Sequence, residues 1–171
     1  MKESAERNEK MSEKKMRRVF VIRKDLHLSP GKLAAMVGHC CEAYWTNLLK
    51  RDYQFHKDNH GLVFEPTDEN IVSFQIAMPK DIWKEYVLGI FTKTICECKN
   101  KAKLQVAVDV AKELKLVEGT DYGFINDSCL TELTPENPDG TTTIGIWFRP
   151  LPDEQAHQIS KKFKLYGVFD K

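Results

Sequence analysis

Lys32 falls in the run Ser29-Pro30-Gly31-Lys32, which reads as a helix start with a capping hydroxyl and a proline at the first helical position. The next two residues disfavour the place they occupy. Glycine in a helix costs about 1 kcal/mol relative to alanine, and a cation in the first turn opposes the helix dipole by about 0.3–1 kcal/mol. Both choices make sense if bare amides and an ammonium face an anion, either a phosphate or an oxyanion developing on a carbonyl. Periodicity alone favours the simpler reading of a solvated lysine. Asp127, in Asn126-Asp127-Ser128, ends a predicted strand. Aspartate is an ordinary turn residue because its carboxylate bonds nearby amides; brought beside Lys32 and the Asp25 loop, it could orient or deprotonate a water.

Thr131, Thr141, Thr142 and Thr143 sit in or beside strands, where threonine is common. Thr141 and Thr143 read as structural, whereas a hydroxyl pair flanking Asp127 would offer donors to a carbonyl or a ribose. His39 follows Lys32 by two helical turns on nearly the same face, as a packed ring or a ligand contact. His56 and His60, with Asp58 between, imitate a metal site at helical spacing, but their polar setting favours solvation. No nucleophile elbow, phosphate-binding loop or dinucleotide fingerprint occurs, and Cys40-Cys41 lies on an apolar helix face, so covalent catalysis is not indicated.

These residues need elements to hold them. The run 18–23 is β-branched and flanked by charge, the pattern of a central strand buried on both faces. After a loop, a helix opens at Ser29-Pro30, and Leu33, Val37, Cys40, Tyr44 and Leu48 form one apolar stripe to about Leu49; the polar segment 51–60 ends it. Residues 71–78 read as a strand, 81–91 as a short amphipathic helix and 94–98 as a second buried strand. Asn100 caps a helix with Leu104, Ala107, Val108, Ala111 and Leu114 on its core face, closed by Val117-Glu118-Gly119. Strand 122–126, the turn-rich loop 135–140, strand 142–148 and a helix opening near Pro152-Asp153 complete the chain. Strands alternating with helices predict an α/β fold, a mixed sheet with helices on both faces.

Composition bounds the partners. At 171 residues, 42% hydrophobic and 30% charged, the chain suits one compact domain. Residues 1–16 lack an apolar period and read as a flexible tail, leaving 17–171 as a single domain. Nothing approaches a bilayer-spanning run and the first residues are too charged for a secretory signal, so the expected compartment is the cytoplasm and no membrane partner is expected. Five cysteines without metal or redox spacing are expected to stay reduced. The net charge is only +1, and the first eighteen residues carry seven basic side chains against four glutamates. The remainder is slightly acidic, so any nucleic-acid contact in the folded part must come from a local patch.

At these residues the sequence resembles a family. VFVIRKDLHLSPGKLAAMVGHCCEAY is similar to the opening strand, loop and helix of type 2 (archaeal and eukaryotic) peptidyl-tRNA hydrolases, with Arg23, Asp25, Leu26, Gly31, Lys32, Ala34, Ala35 and His39 matching its pattern. INDSCLTEL resembles the segment in which an Asp-Ala-Gly turn precedes a basic residue and a threonine, and matches at Asp127 and Thr131. TTIGI places Thr142 on the family's strand threonine, and RPLP with FKLY looks like its closing helix and tail. Departures are Pro30, Met36, Ser128-Cys129-Leu130, a longer loop over 135–140, and an insertion at about 53–78.

The resemblance implies a three-layer α/β/α fold with a mixed four-stranded sheet, here with an inserted strand, and no metal or organic cofactor. It implies hydrolysis of the ester between peptide and tRNA by water, with Lys32, Asp127, Thr131 and Thr142 as the active site and Arg23, Asp25, Gly31 and His39 as substrate-binding neighbours. Peptidyl-tRNA is then the expected partner, and a strand added near a sheet edge invites a homodimer. One alternative is a catalytically weakened tRNA- or protein-binding member of the same fold, suggested by Met36, Pro30 and Leu130; another is hydrolysis of some other small ester or amide.

Overall fold

The computed structural model describes residues 15–58, 74 and 76–167. Strand β1 (Met16–Arg23) leads into helix α1 (Pro30–Asp58), a π-helical turn (Ile82–Val87) and β2 (Lys93–Cys98). A 3-10 turn (Lys101–Lys103) opens α2 (Leu104–Glu113), followed by β3 (Tyr122–Asp127), β4 (Thr142–Phe148), β5 (Leu151–Pro152), α3 (Asp153–Ser160) and β6 (Lys164–Leu165). No helix among the described residues is long and apolar enough to cross a membrane.

The sheet is mixed, as expected, but it has six strands rather than four, in the order β3-β4-β1-β2-β6 with β5 pairing the start of β1. The two extra strands are two-residue ladders, Leu151 and Pro152 against Arg17 and Met16, and Lys164 and Leu165 against Glu97 and Cys96. Segments so short carry no alternation from which a strand can be read. Of the inserted strand expected over 71–78, residues 74 and 76–78 belong to no strand and the rest lies outside the described residues. So do most of the expected tail over 1–16, the centre of the insertion at 53–78, and the side chains of His56, Asp58 and His60.

β1 is buried almost throughout because both faces are covered. Phe20 and Ile22 point to one side, packing with Met36, Cys40 and Tyr44 of α1 and with Ile82 and Tyr86. Val19 and Val21 point to the other, packing with Leu104, Ala107 and Ala111 of α2 and Ala156 and Ile159 of α3. Alternate residues of one strand thus feed two cores, and each large apolar side chain fully buried contributes about 1.5–3 kcal/mol. Arg18 is also fully buried, donating to the carbonyls of Phe148 at 2.9 Å and of Cys40 and Cys41 at 2.7 Å.

Two helix ends depart from expectation. α1 continues past Leu49 to Asp58, because 39–60 contains neither glycine nor proline and polarity alone does not stop a helix. α2 ends earlier than Gly119, with Lys115 in the left-handed region (φ 57°) while the Leu116 amide donates to Ala111 O at 2.9 Å.

β1 and β2 run parallel while β4 is antiparallel to both β1 and β3, so β1, β2 and β3 all end at one edge of the sheet. Arg23, Cys98 and Asp127 are their last residues, and Thr142 begins β4 beside Asp127. Ligands of open α/β sheets sit at the carboxyl ends of strands. A register shift at Ile125/Asn126 leaves Ile144 as an extra residue in β4, and it packs on the α1 side while Ile146 and Phe148 pack on the other. Bulges of this kind re-aim side chains at the end of a strand.

Two glycines test this packing with opposite signs. A Cβ on Gly145 would lie 2.3 Å from Val21 O and 3.0 Å from Ile22 Cδ1, whereas one on Gly31 would meet nothing within 4 Å. Gly145→Ala is expected to lower the free energy of unfolding by about 3 kcal/mol. Gly31→Ala should raise it by about 0.4–1 kcal/mol; urea denaturation of the three proteins checks both.

Candidate active site

Ser29 caps α1: its hydroxyl oxygen accepts from the Lys32 amide at 3.3 Å, and its carbonyl accepts from the Leu33 amide at 2.8 Å. That places Lys32 in the first turn, at the carboxyl edge of the sheet. Its ammonium lies 2.6 Å from Asp127 Oδ2 and donates to Thr131 Oγ1 at 3.2 Å. The Lys32 and Asp127 side chains are 13% and 7% exposed, so the pair is largely shielded from solvent while Thr131 is exposed.

Asp127 Oδ1 accepts from the Cys129 amide at 2.9 Å, closing the turn foreseen for this aspartate. Cys129 adopts a left-handed backbone (φ 56°), which glycine takes more readily. Burial pushes the Asp127 carboxyl up, but the Lys32 ammonium and the Cys129 amide outweigh it and hold the carboxyl below its ordinary value. His39 adds to that effect through its positive field.

An anion at the helix start is one of two readings of the sequence, the other being a solvated lysine. The backbone there is met by an anion from this chain: the Glu132 carboxylate accepts from the Ser29 amide at 3.1 Å and from the Ser29 hydroxyl. The Ser29 hydrogen bonds hold the Glu132 carboxyl below the usual range. Gly31 is exposed beside this contact.

Arg23 and Asp25 form the layer behind. The Arg23 guanidinium is buried and uses all five N–H donors: two on Asp25 (3.1 and 2.8 Å), two on Glu136 (2.6 and 2.9 Å) and one on Thr143 O at 2.9 Å. Arg23 therefore joins the end of β1, its following loop, β4 and the 135–140 loop, with no donor left over. Thr142 is similarly committed: its hydroxyl donates to Thr134 O at 2.7 Å and accepts from the Glu136 amide at 3.0 Å.

Of the eight residues singled out in the sequence, Lys32, Asp127 and Thr131 meet directly, and Arg23, Asp25 and Thr142 brace the loops around them. His39 is exposed and lines a groove of about 570 Å³ between α1 and β3, floored by Gly123 and Trp147 and bounded by Asn126 next to Asp127. Sequence reasoning missed Glu132, Glu136 and the Cys129 amide. The two glutamates stand in a loop without periodicity, and only the N-cap signature at Ser29 hinted that a carboxylate could be held there.

No curated protein matches the chain. The sequence model of the family described as Peptidyl-tRNA hydrolase PTH2 matches residues 16–166, from the first residue of β1 to the residue after β6. Because that match takes in every strand and helix described above, the chain belongs to the peptidyl-tRNA hydrolase PTH2 family.

Proposed function

We propose that this protein hydrolyses the ester joining a peptide, or an N-blocked amino acid, to tRNA, with water as the attacking group and no covalent intermediate. The observation that carries this reading is the shielded Lys32–Asp127 pair, 2.6 Å apart at the carboxyl edge of the sheet, in a chain of a peptidyl-tRNA hydrolase family. Asp127, ionised at neutral pH, accepts a hydrogen bond from the attacking water and orients it towards the carbonyl. Lys32 has three N–H donors, and Asp127 and Thr131 take two of them. The third meets the carbonyl oxygen as it gains negative charge in the transition state.

Thr131, exposed beside the ammonium, hydrogen-bonds the substrate. Thr142 acts at one remove, holding Thr134 and Glu136 so that the loop carrying Thr131 keeps its place. Arg23 and Asp25 are positioning residues of the same kind, because the guanidinium has no donor to spare. Gly31, with open space beside its Cα next to the Ser29–Glu132 contact, leaves room for the tRNA end, and the groove beside His39 receives the peptidyl part. This chemistry needs no metal or organic cofactor, and its substrate is met in the cytoplasm.

Release of peptide from N-blocked aminoacyl-tRNA tests the assignment. Lys32→Ala is expected to lower kcat by about 10²–10³-fold and Asp127→Ala by about 10²–10⁴-fold, with circular dichroism unchanged. Full activity in folded Lys32→Ala would sink the mechanism, and tRNA binding without turnover by the unsubstituted protein would favour the binding-protein alternative. Gly31→Ala, stable as argued above, should raise KM; an unchanged KM removes Gly31 from the site.

The pH profile gives a separate check. A carboxyl depressed in the folded protein lends stability above its unfolded pKa, and this is lost as pH falls through the folded value. Asp127 is depressed from an ordinary 3.8, so its charge persists below that pH. The acid limb of kcat/KM assigned to Asp127 should therefore lie below about pH 4. A limb centred above about pH 5 that survives His39→Ala, in folded protein, would remove Asp127 as the group that must be ionised.

A further inference from the structure

On the far side of the β1–α1 loop from Lys32, a depression of about 630 Å³ opens between the ends of β1 and β2, the start of α2 and the turn after α3. Lys24, Lys99, Lys103, Lys162 and Lys164 line it, with His27 on the loop itself. Its carboxylates are Asp25 and Glu97, so five lysines stand against two acids, in a chain whose net charge is only +1. Both acids are committed: Asp25 to Arg23 at 2.8 Å, and Glu97 to Lys24 at 2.7 Å. Lys99, Lys103 and Lys162 are exposed and have no acidic partner among the described residues.

The groove on the other side of the site has no such excess, with Lys50 and His39 against Glu42 and Glu118. An anionic polymer is therefore drawn more strongly to the lysine side of the Lys32–Asp127 pair than to the other. The separation suits a chain of nucleotides. Asp127 ends β3 and Cys98 ends β2, three strand spacings apart along the order β3-β4-β1-β2, or about 14 Å at ~4.8 Å each.

We propose that this lysine-walled depression takes backbone phosphates of the tRNA, so that the nucleic acid crosses the β1–α1 loop from Lys99, Lys103 and Lys162 to the ester at Asp127. The inference rests on the hydrolase reading and gives it a direction: RNA over the β2 side, peptide along the α1–β3 groove. Phosphate contacts release counterions, so affinity falls with salt in proportion to their number, by a log–log slope of about 0.7–0.9 per contact.

The test is binding of deacylated tRNA, followed by fluorescence anisotropy over a range of potassium chloride, to the unsubstituted protein and to the triple variant Lys99→Gln, Lys103→Gln, Lys162→Gln. The expected result is weaker binding by the variant and a slope shallower by about 2.1–2.7, so that the unsubstituted protein loses about 20- to 40-fold more affinity between 50 and 200 mM salt. KM for N-blocked aminoacyl-tRNA should rise with kcat unchanged. A control removing the same charge elsewhere, Lys80→Gln, Lys84→Gln, Lys112→Gln, should keep the original slope. Equal slopes in the unsubstituted protein and the first variant, or equal losses in the two variants, would overturn the proposal. Because deacylated tRNA has no ester, this outcome is independent of whether the protein hydrolyses anything.

Discussion

The placement of the site depends on one buried cation. Arg18, fully enclosed near the start of β1, has no carboxylate partner among the described residues, and its guanidinium is satisfied by three carbonyls and flanked by the rings of Phe20 and Tyr44. Burial pulls its pKa below the ordinary range, opposed by Tyr86 and by Cys41 and Cys40. A charge in such a place is tolerable only where its nitrogens find oxygens, as each of the three does here. Meeting that demand fixes α1 against β1 and β4 at Cys40 and Cys41. From Cys40 back to Lys32 is eight residues, about 12 Å of helix; from Arg18 forward to Arg23 is five, about 16 Å of strand. Strand and returning helix therefore bring Lys32 back to the edge where β1 ends.

Around that edge, long-range polar contacts do what regular structure does elsewhere. The segment 128–141 contains no helix or strand, yet it is tied down at Glu132 by Ser29, at Glu136 by Arg23 and the Thr142 hydroxyl, and at Asn137 by Thr141, Thr143 and Lys101. The ties are not equal. Exposed pairs such as Lys101 with Asn137 contribute little, whereas removing a partner of the buried Arg23 guanidinium leaves donors of that cation unsatisfied, at about 1–3 kcal/mol. The loop is thus held most firmly at Glu136, directly behind the residues that face the substrate.

Legibility in the sequence follows how local each cause is. β1 and β4 were readable because burial on both faces demands uninterrupted apolar, β-branched residues, and the start of α1 because Ser29 and Pro30 state it within two positions. The far end of α1 was not, since its residues are polar and what keeps them helical is the lack of a breaker. The two-residue ladders β5 and β6 exist only because neighbouring backbone passes by. At the site, Lys32 and Asp127 stood out as residues at odds with, or ordinary for, their local positions, but their meeting is a tertiary fact. Arg18 read as a flanking charge and proved to be a core residue. Glu132 and Glu136 gave no signal because their partners lie more than a hundred residues away.

The ion pair also sets how the chemistry can be divided. The contacts that keep Asp127 ionised depress its pKa and so make it a weaker proton acceptor, and general-base catalysis weakens as that strength falls. On the proposed reading, then, the carboxylate contributes mainly by orienting water, and charge stabilisation at the carbonyl oxygen adds to it. That is the part Lys32 can supply from a shielded position, where the same ammonium acts more strongly than it would in bulk water. The arrangement suits an ester, whose leaving alcohol departs far more readily than an amine, and it suits an amide poorly. Selectivity for the ester over the peptide bonds of the same substrate would then follow from the weakness of the base.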